Sequence, residues 1–264
     1  MGEDLRQTYN VLCQYFLNTI EGWMMLLQAQ KITKRFGGLM ALKEVDLQIE
    51  RGEIIGLIGP NGAGKTTLFN VISGFYFPSS GNILFEGRDI TSLRAYQTCR
   101  LGIARTFQIV KPFGNMTVLQ NVMVGNFCRM RSTREVKKEA FEILDLAGLS
   151  GKENELAKSL TLPDRKRLEL AKALATKPKF LLLDEVNAGL NPTEISQVLN
   201  ILRKVRDEWG VTLLVIEHLM TVIMNLSERI VVLSYGEKIA EGTPEEVSTN
   251  QKVIEAYLGE EDEE

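Results

Sequence analysis

The sequence predicts an α/β fold built on a parallel sheet, with an antiparallel β segment before it and an α-helical insertion within it. Three observations carry this. Short apolar runs of the fully buried kind recur at 53–58, 180–183 and 212–217. The first runs into a glycine-rich loop that opens a helical pattern at 66–73. Residues from about 115 to 175 carry helical patterning and no strand signal. Buried strands alternating with helices require crossover connections, and these build a parallel sheet.

Each element follows in order. Leu27 to Thr33 and Ala41 to Ile49 read as strands, with Phe36-Gly37-Gly38 turning between them. Glu53 to Ile58 is a buried strand, and Asn82 to Phe85 a short one closed by Glu86-Gly87. Glu135 to Ala147 and Arg165 to Ala175 read as helices. Glu194 to Glu208 is a helical crossover between the runs at 180 and 212. Ile230 to Ser234 and Lys238 to Glu241 form a hairpin around Tyr235-Gly236. The expected organisation is an extension at 1–26, one folded unit at 27–258, and an acidic solvated tail at 259–264. In the extension, Val11, Leu12, Tyr15, Phe16 and Ile20 suit one short amphipathic face. Two readings stay open there: a segment with no chemical role, or a native start at Met24 or Met25.

Composition narrows the function classes. With 264 residues, 44% hydrophobic and 25% charged, the chain can bury a full core. A net charge of -3 leaves no basic footprint, which argues against nucleic acid as the main partner. Cys13, Cys99 and Cys128 fit neither zinc nor Cys-x-x-Cys spacing and read as reduced thiols of a cytoplasmic protein. No apolar run approaches the roughly 20 residues that span a bilayer. Work at a membrane would therefore go through partners.

Chemistry concentrates in two segments. Gly59-Pro60-Asn61-Gly62-Ala63-Gly64-Lys65-Thr66-Thr67 matches G-x-x-x-x-G-K-[ST] and lies between a buried strand and a helix. Glycines let backbone N–H groups curl around phosphate oxygens, and the helix turns its positive end to the same anion. Lys65 is placed to reach β- and γ-phosphates, and Thr66 to put its hydroxyl on Mg²⁺. The second segment is Phe180 to Glu185. Its strand ends in Asp184, a carboxylate for the Mg²⁺ shell, and Glu185 beside it can act as general base on water.

These motifs make residues 27–258 resemble the ATP-binding-cassette ATPases. The resemblance implies a P-loop NTPase core with a parallel sheet, an N-terminal antiparallel β subdomain, an inserted helical subdomain, and ATP with Mg²⁺ as ligands. It implies that Phe36 stacks on adenine. It implies that Gln108, in Arg105-Thr106-Phe107-Gln108, senses Mg²⁺ and water, and that His218 contacts the γ-phosphate. In that family two cassettes pair head to tail, and a Leu-Ser-Gly-Gly-Gln loop of each caps the ATP of the other. Here the matching stretch is Leu160-Thr161-Leu162-Pro163-Asp164. Thr161 keeps a hydroxyl donor, Pro163 removes an N–H, and Asp164 is expected to set a negative charge near a γ-phosphate, with Arg165 or Lys166 to compensate. The expectation is an asymmetric pair: this P-loop competent, the partner's ATP slow. In Asp184 to Pro192, Val186 stands where the family usually has Pro, and Asn191 where it often has Asp.

Narrower segments are similar to importers of branched-chain amino acids and related small amides. They are Arg35 to Leu39, Ile72 to Tyr76, Ala104 to Gln108, Ala188 to Pro192, Ile216 to His218 and Val253 to Gly259. That similarity implies a second ATPase subunit in a heterodimer, with a homodimer left open, two membrane-spanning permease subunits and, indirectly, an extracytoplasmic binding protein. A groove near Gln108 to Phe113, with Ile109, Val110 and Phe113, would receive a helix of the permease. The chain would sit in the cytoplasm, on the inner face of the membrane. Two alternatives stay open: the ATPase of a lipid-type exporter, and a nucleic-acid-linked cassette ATPase.

Overall fold

The computed structural model describes residues 25–258. The expectations for the N-terminal extension before Met25, for Cys13 and for the acidic tail lie outside the described residues.

Strands β1 (Met25–Phe36) and β2 (Leu39–Glu50) form an antiparallel hairpin, and β3 (Ile54–Ile58) leaves it for a second sheet. Helix α1 (Lys65–Ile72) follows the glycine-rich loop. The chain then returns to the first sheet as β4 (Ser80–Phe85) and β5 (Arg88–Asp89), in the order β2-β1-β4-β5. Helix α2 (Ala95–Leu101) and strand β6 (Ile103–Arg105) lead into α3 (Val118–Asn126), α4 (Thr133–Leu146) and α5 (Leu162–Leu174). Next come β7 (Phe180–Asp184), α6 (Pro192–Trp209), β8 (Thr212–Ile216), α7 (Met220–Leu226), β9 (Arg229–Ser234) and β10 (Glu237–Gly242). Helices α8 (Pro244–Ser248) and α9 (Gln251–Leu258) end the described chain. The second sheet runs β10-β9-β3-β8-β7-β6 and is parallel except for β10.

The buried strands divide their side chains between two cores, as a period of two dictates. Phe180, Leu182, Leu214 and Ile216 face the first sheet and α1. Leu181, Leu183, Leu213 and Val215 face α6, α7 and the helical region. Both faces are covered, so these strands read as continuous apolar runs. Helix α6 is set by local chemistry: Asn191 caps it reciprocally with Glu194, Pro192 sits in the first turn, and Gly210 ends it in the left-handed region.

Three differences from the sequence reading have physical causes. Strand β1 starts at Met25, because Leu26 is buried and its carbonyl accepts the Glu86 N–H at 2.9 Å. Helix α5 starts at Leu162, because Thr161 caps it and proline fits a first turn. The short elements α2, β6, α3, α7, α8 and α9 carry too few periods to be read from sequence. The fold also brings Cys99, on α2, and Cys128, just beyond α3, near enough for each thiol to act electrostatically on the other. Both are free thiols, and burial pushes the Cys128 thiol up.

Candidate functional site

The loop between β3 and α1 forms one wall of a cleft of about 740 Å³. Asn61, Gly62, Ala63, Gly64, Lys65, Thr66 and Thr67 line it, and Phe36, Gln108, Glu185 and His218 reach it from four other segments. Sequence positions far apart therefore meet at the C-terminal ends of β3, β7 and β8, the edge where open α/β sheets hold ligands. Gly59 and Pro60 lie beneath this lining and are buried. Their carbonyls accept the Lys65 ammonium at 2.6 and 2.8 Å. Gly59 has φ of +147°, and a Cβ there would meet the Leu233 carbonyl oxygen at 2.0 Å, so only glycine lets the loop leave β3 in this direction. Phe36 is 40% exposed and packs edge-on against Tyr76, with ring centroids 5.2 Å apart.

Asp184 ends β7 and is 3% exposed. Its N–H donates to the Thr106 hydroxyl at 3.2 Å, and its Oδ2 meets Arg105 Nη2 at 3.4 Å. Burial pushes the Asp184 carboxyl above the usual range, with Arg105 opposing that rise. Asp184 Oδ1 is buried and has no hydrogen-bond partner. A cation ligand is the chemistry that satisfies such an oxygen. Thr66 lies between this carboxylate and the cleft, lining the space on both sides. One carboxylate, one hydroxyl and the phosphates of a bound nucleotide form the usual donor set for Mg²⁺, so these residues fit that ion.

Glu185, the next residue, has φ of +50°, a conformation costly for an L-residue. Its carboxylate is held on both oxygens. His218 Nε2 lies 2.8 Å from Oε1, and Gln108 Nε2 donates to Oε2 at 2.8 Å. Gln108 was expected to face the cation; its amide nitrogen faces Glu185 instead, and the amide oxygen is the atom left for a cation.

The loop before α5 requires a correction. Asp164 does not project its charge outward. It is 6% exposed and turned inward, where Lys152 and Thr161 donate to its Oδ2 and Arg167 lies 3.9 Å from its Oδ1. The expected compensating groups point elsewhere: Arg165 donates to the Lys158 carbonyl and Lys166 to the Glu185 carbonyl. The reason is helical geometry. Asp164 is the third helical residue, where a carboxylate folds back over its own cap. Thr161 is thereby engaged as well, donating to Asp164 and accepting its N–H.

Burial alone would raise the Asp164 carboxyl, but the hydrogen bonds from Lys152 and Thr161 and the charge of Arg167 hold it below the usual range. A carboxyl depressed in the folded state stabilises above its unfolded value and loses that contribution as pH falls through the folded value. Lys152 is partly exposed, so the pair is discounted. Asp164→Asn is expected to cost about 1–2 kcal/mol at neutral pH. The thermal midpoint should fall by about 3–6 °C, and that difference should shrink in acid. Equal midpoints at neutral pH would show that the inward carboxylate does not hold the loop.

Several residues at the site were not singled out as site residues from sequence. Arg105 bridges Asp184 to Asn70, whose Oδ1 accepts at 2.5 Å, with its guanidinium 4.5 Å from the Phe107 ring. Glu217 is 4% exposed and accepts from both the N–H and the side-chain amide of Asn187. The available signal was an acid placed directly after an apolar strand and before the chain's single histidine.

Comparisons with known proteins show the family of the chain. Residues 42–188 match the family described as "ABC transporter", and residues 237–263 match "Branched-chain amino acid ATP-binding cassette transporter". The chain is 40% identical over 250 residues to "High-affinity branched-chain amino acid transport ATP-binding protein BraF" of Pseudomonas aeruginosa, covering 89% of this chain and 98% of that protein. It is 41% identical over 250 residues, with the same coverage, to the protein of the same description named LivG in Escherichia coli K12. Among solved structures it resembles the ADP conformation of an ATP-binding cassette of an ABC transporter, with a TM-score of 0.81 and 34% identity, over 89% of this chain and 99% of that one.

Proposed function

The chain belongs to the ABC transporter family of ATP-binding cassettes, and on that premise we propose that it is the ATP-hydrolysing subunit of an importer of branched-chain amino acids. The observation that carries the hydrolytic reading is Glu185, whose carboxylate lies in a phosphate-loop cleft between Gln108 and His218. The importer reading is supported by the similarity of residues 237–263 and by the names of the relatives. Those names do not favour the exporter or the nucleic-acid alternative.

In this reading the backbone N–H groups of Gly62 to Thr67 cradle the phosphates, and Lys65 exchanges its two carbonyl acceptors for phosphate oxygens. Thr66 and Asp184 would hold Mg²⁺, which supplies neutralising charge at the phosphate oxygens. Glu185 takes the proton of the attacking water, with Gln108 and His218 fixing where that carboxylate sits. Phe36 lies at the cleft end suited to the base of the nucleotide, where a π face is the requirement.

The partners are proposed from the family resemblance and one exposed apolar face. Phe75, Phe107 and Ile109 are exposed around a second cleft of about 540 Å³ beside Gln108. That face suits a helix of a membrane-spanning permease subunit. Two such subunits, a second ATPase and an extracytoplasmic binding protein complete the assembly, with this chain peripheral on the cytoplasmic face and no nucleic acid. No helix among the described residues is long and apolar enough to cross a membrane. The asymmetry between the two ATP sites remains part of the proposal on new grounds. Thr161 has spent its hydroxyl on Asp164, and Pro163 lacks an N–H, so the loop offers a partner's γ-phosphate few donors.

The test is reconstitution of the chain in vesicles with its membrane subunits and second ATPase. ATP hydrolysis should rise several-fold when the binding protein is added with leucine, isoleucine or valine. A rate indifferent to those amino acids would overturn the cargo assignment.

A further inference from the structure

Glu185 is the strained residue of the site, and its orientation depends on what holds its main chain. Its N–H donates to the Ile216 carbonyl at 3.0 Å, which ties it to the end of β8. Its carbonyl has a less expected partner. Lys166, on the second turn of α5, is 9% exposed and donates its ammonium to Glu185 O at 3.0 Å. An ammonium is seldom buried without opposing charge. The carboxylates whose charge acts on it are those of Glu217 and of Glu185 itself. Glu217 in turn holds the next part of the turn, accepting from Asn187 N at 2.9 Å and Asn187 Nδ2 at 2.8 Å. The turn after β7 is therefore gripped from both sides: by Ile216 at the end of β8 and Glu217 just beyond it, and by the helical region through Lys166.

We infer that Lys166 is a positioning residue for the general base, fixing the left-handed turn at Glu185 by binding its carbonyl while Glu217 balances its charge. Several consequences follow from the geometry. A side chain aims where its backbone aims it. Release of the carbonyl lets Glu185 relax toward ordinary φ, which swings the carboxylate away from Gln108 and His218. Lys166 also starts from the helix whose N-terminal end is exposed at Thr161 and Leu162. Movement of α5 therefore reaches the base through one hydrogen bond rather than through the β-sheet core. Lys166 does not line the nucleotide cleft, so its loss should slow chemistry without weakening ATP binding. The inference rests on the hydrolytic reading above, in which Glu185 is the base.

The experiment uses the full chain assembled with its transporter partners and compares wild type, Lys166→Met, Lys166→Arg, Glu217→Gln and Glu185→Gln. Lys166→Met keeps length and burial but cannot donate. It should lower kcat by about 10- to 100-fold, as a displaced catalytic group does, with KM for ATP little changed. Lys166→Arg retains charge and donor and should recover a measurable part of the loss. Glu217→Gln keeps an acceptor for Asn187 but removes the balancing charge, and should lower kcat in the same KM-sparing way. Full activity in Lys166→Met overturns the inference, as does a loss that falls equally on KM and kcat. If Lys166→Met does not fold, Glu217→Gln decides: a wild-type kcat there overturns the inference, and a KM-sparing loss sustains it. Failure of the underlying reading looks different: Glu185→Gln would then match wild type.

Discussion

Glu185→Gln should lower steady-state ATP hydrolysis by about 10²- to 10⁴-fold, the range for loss of a general base, which is roughly 3–5 kcal/mol in the barrier. Nucleotide affinity should be retained. The replacement keeps the size of the side chain, so the contacts to Gln108 and His218, both 2.8 Å in the native chain, can re-form with one oxygen and one amide. What disappears is the basic oxygen. Phosphate release at saturating ATP and equilibrium binding of a fluorescent nucleotide separate the two effects. The chain should be measured alone and mixed with its second ATPase. Activity that appears only in the mixture and vanishes in the variant supports a heterodimer in which this P-loop turns over. Equal activity alone would show that Thr161 to Asp164 forms a working cap, and would end the asymmetry. A variant with native turnover would move the role of base to another group, and His218→Ala would be the next comparison.

What could be read from sequence, and what could not, divides along the chain's own geometry. The phosphate loop was legible because its requirements are contiguous: a buried strand, glycines, a lysine and a helix within 54–72. Asp184 and Glu185 were legible for the same reason, at the end of an unbroken apolar run. The inward turn of Asp164 was not, since it depends on Lys152 arriving from the preceding loop and on Thr161 acting as a helix cap. Reading Pro163 and Asp164 as loop residues set that charge facing out; reading them as a first helical turn folds it in. Lys166, Asn187 and Glu217 come together only when α5 packs beside β7 and β8. No local pattern marks them: Lys166 is one cation in the charged run Asp164 to Arg167. Cys99 and Cys128 teach the same lesson, as spacing along the chain said nothing of their meeting.

Lys65→Met should weaken ATP binding by about 10- to 100-fold, the loss of one or two charge-assisted contacts at 1.4 kcal/mol per decade. The argument begins from where the ammonium rests. It is buried and bridges the carbonyls of Gly59 and Pro60 beneath the loop, so it already stands where the loop curls. Phosphate oxygens entering the cradle offer it anionic acceptors in place of neutral ones, and that exchange is the part of the binding energy methionine cannot supply. The loss should grow with phosphate number, largest for ATP, smaller for ADP and negligible for AMP, because the lysine is placed for the β- and γ-phosphates. Lys65→Arg should fail to restore affinity although it restores charge: a planar fork cannot replace a compact ammonium held between the carbonyls of Gly59 and Pro60. Calorimetric titration with the three nucleotides reads this gradient directly. Equal losses for ATP and AMP would mean that the substitution had collapsed the loop, and that the lysine shapes the cradle instead of meeting the phosphates.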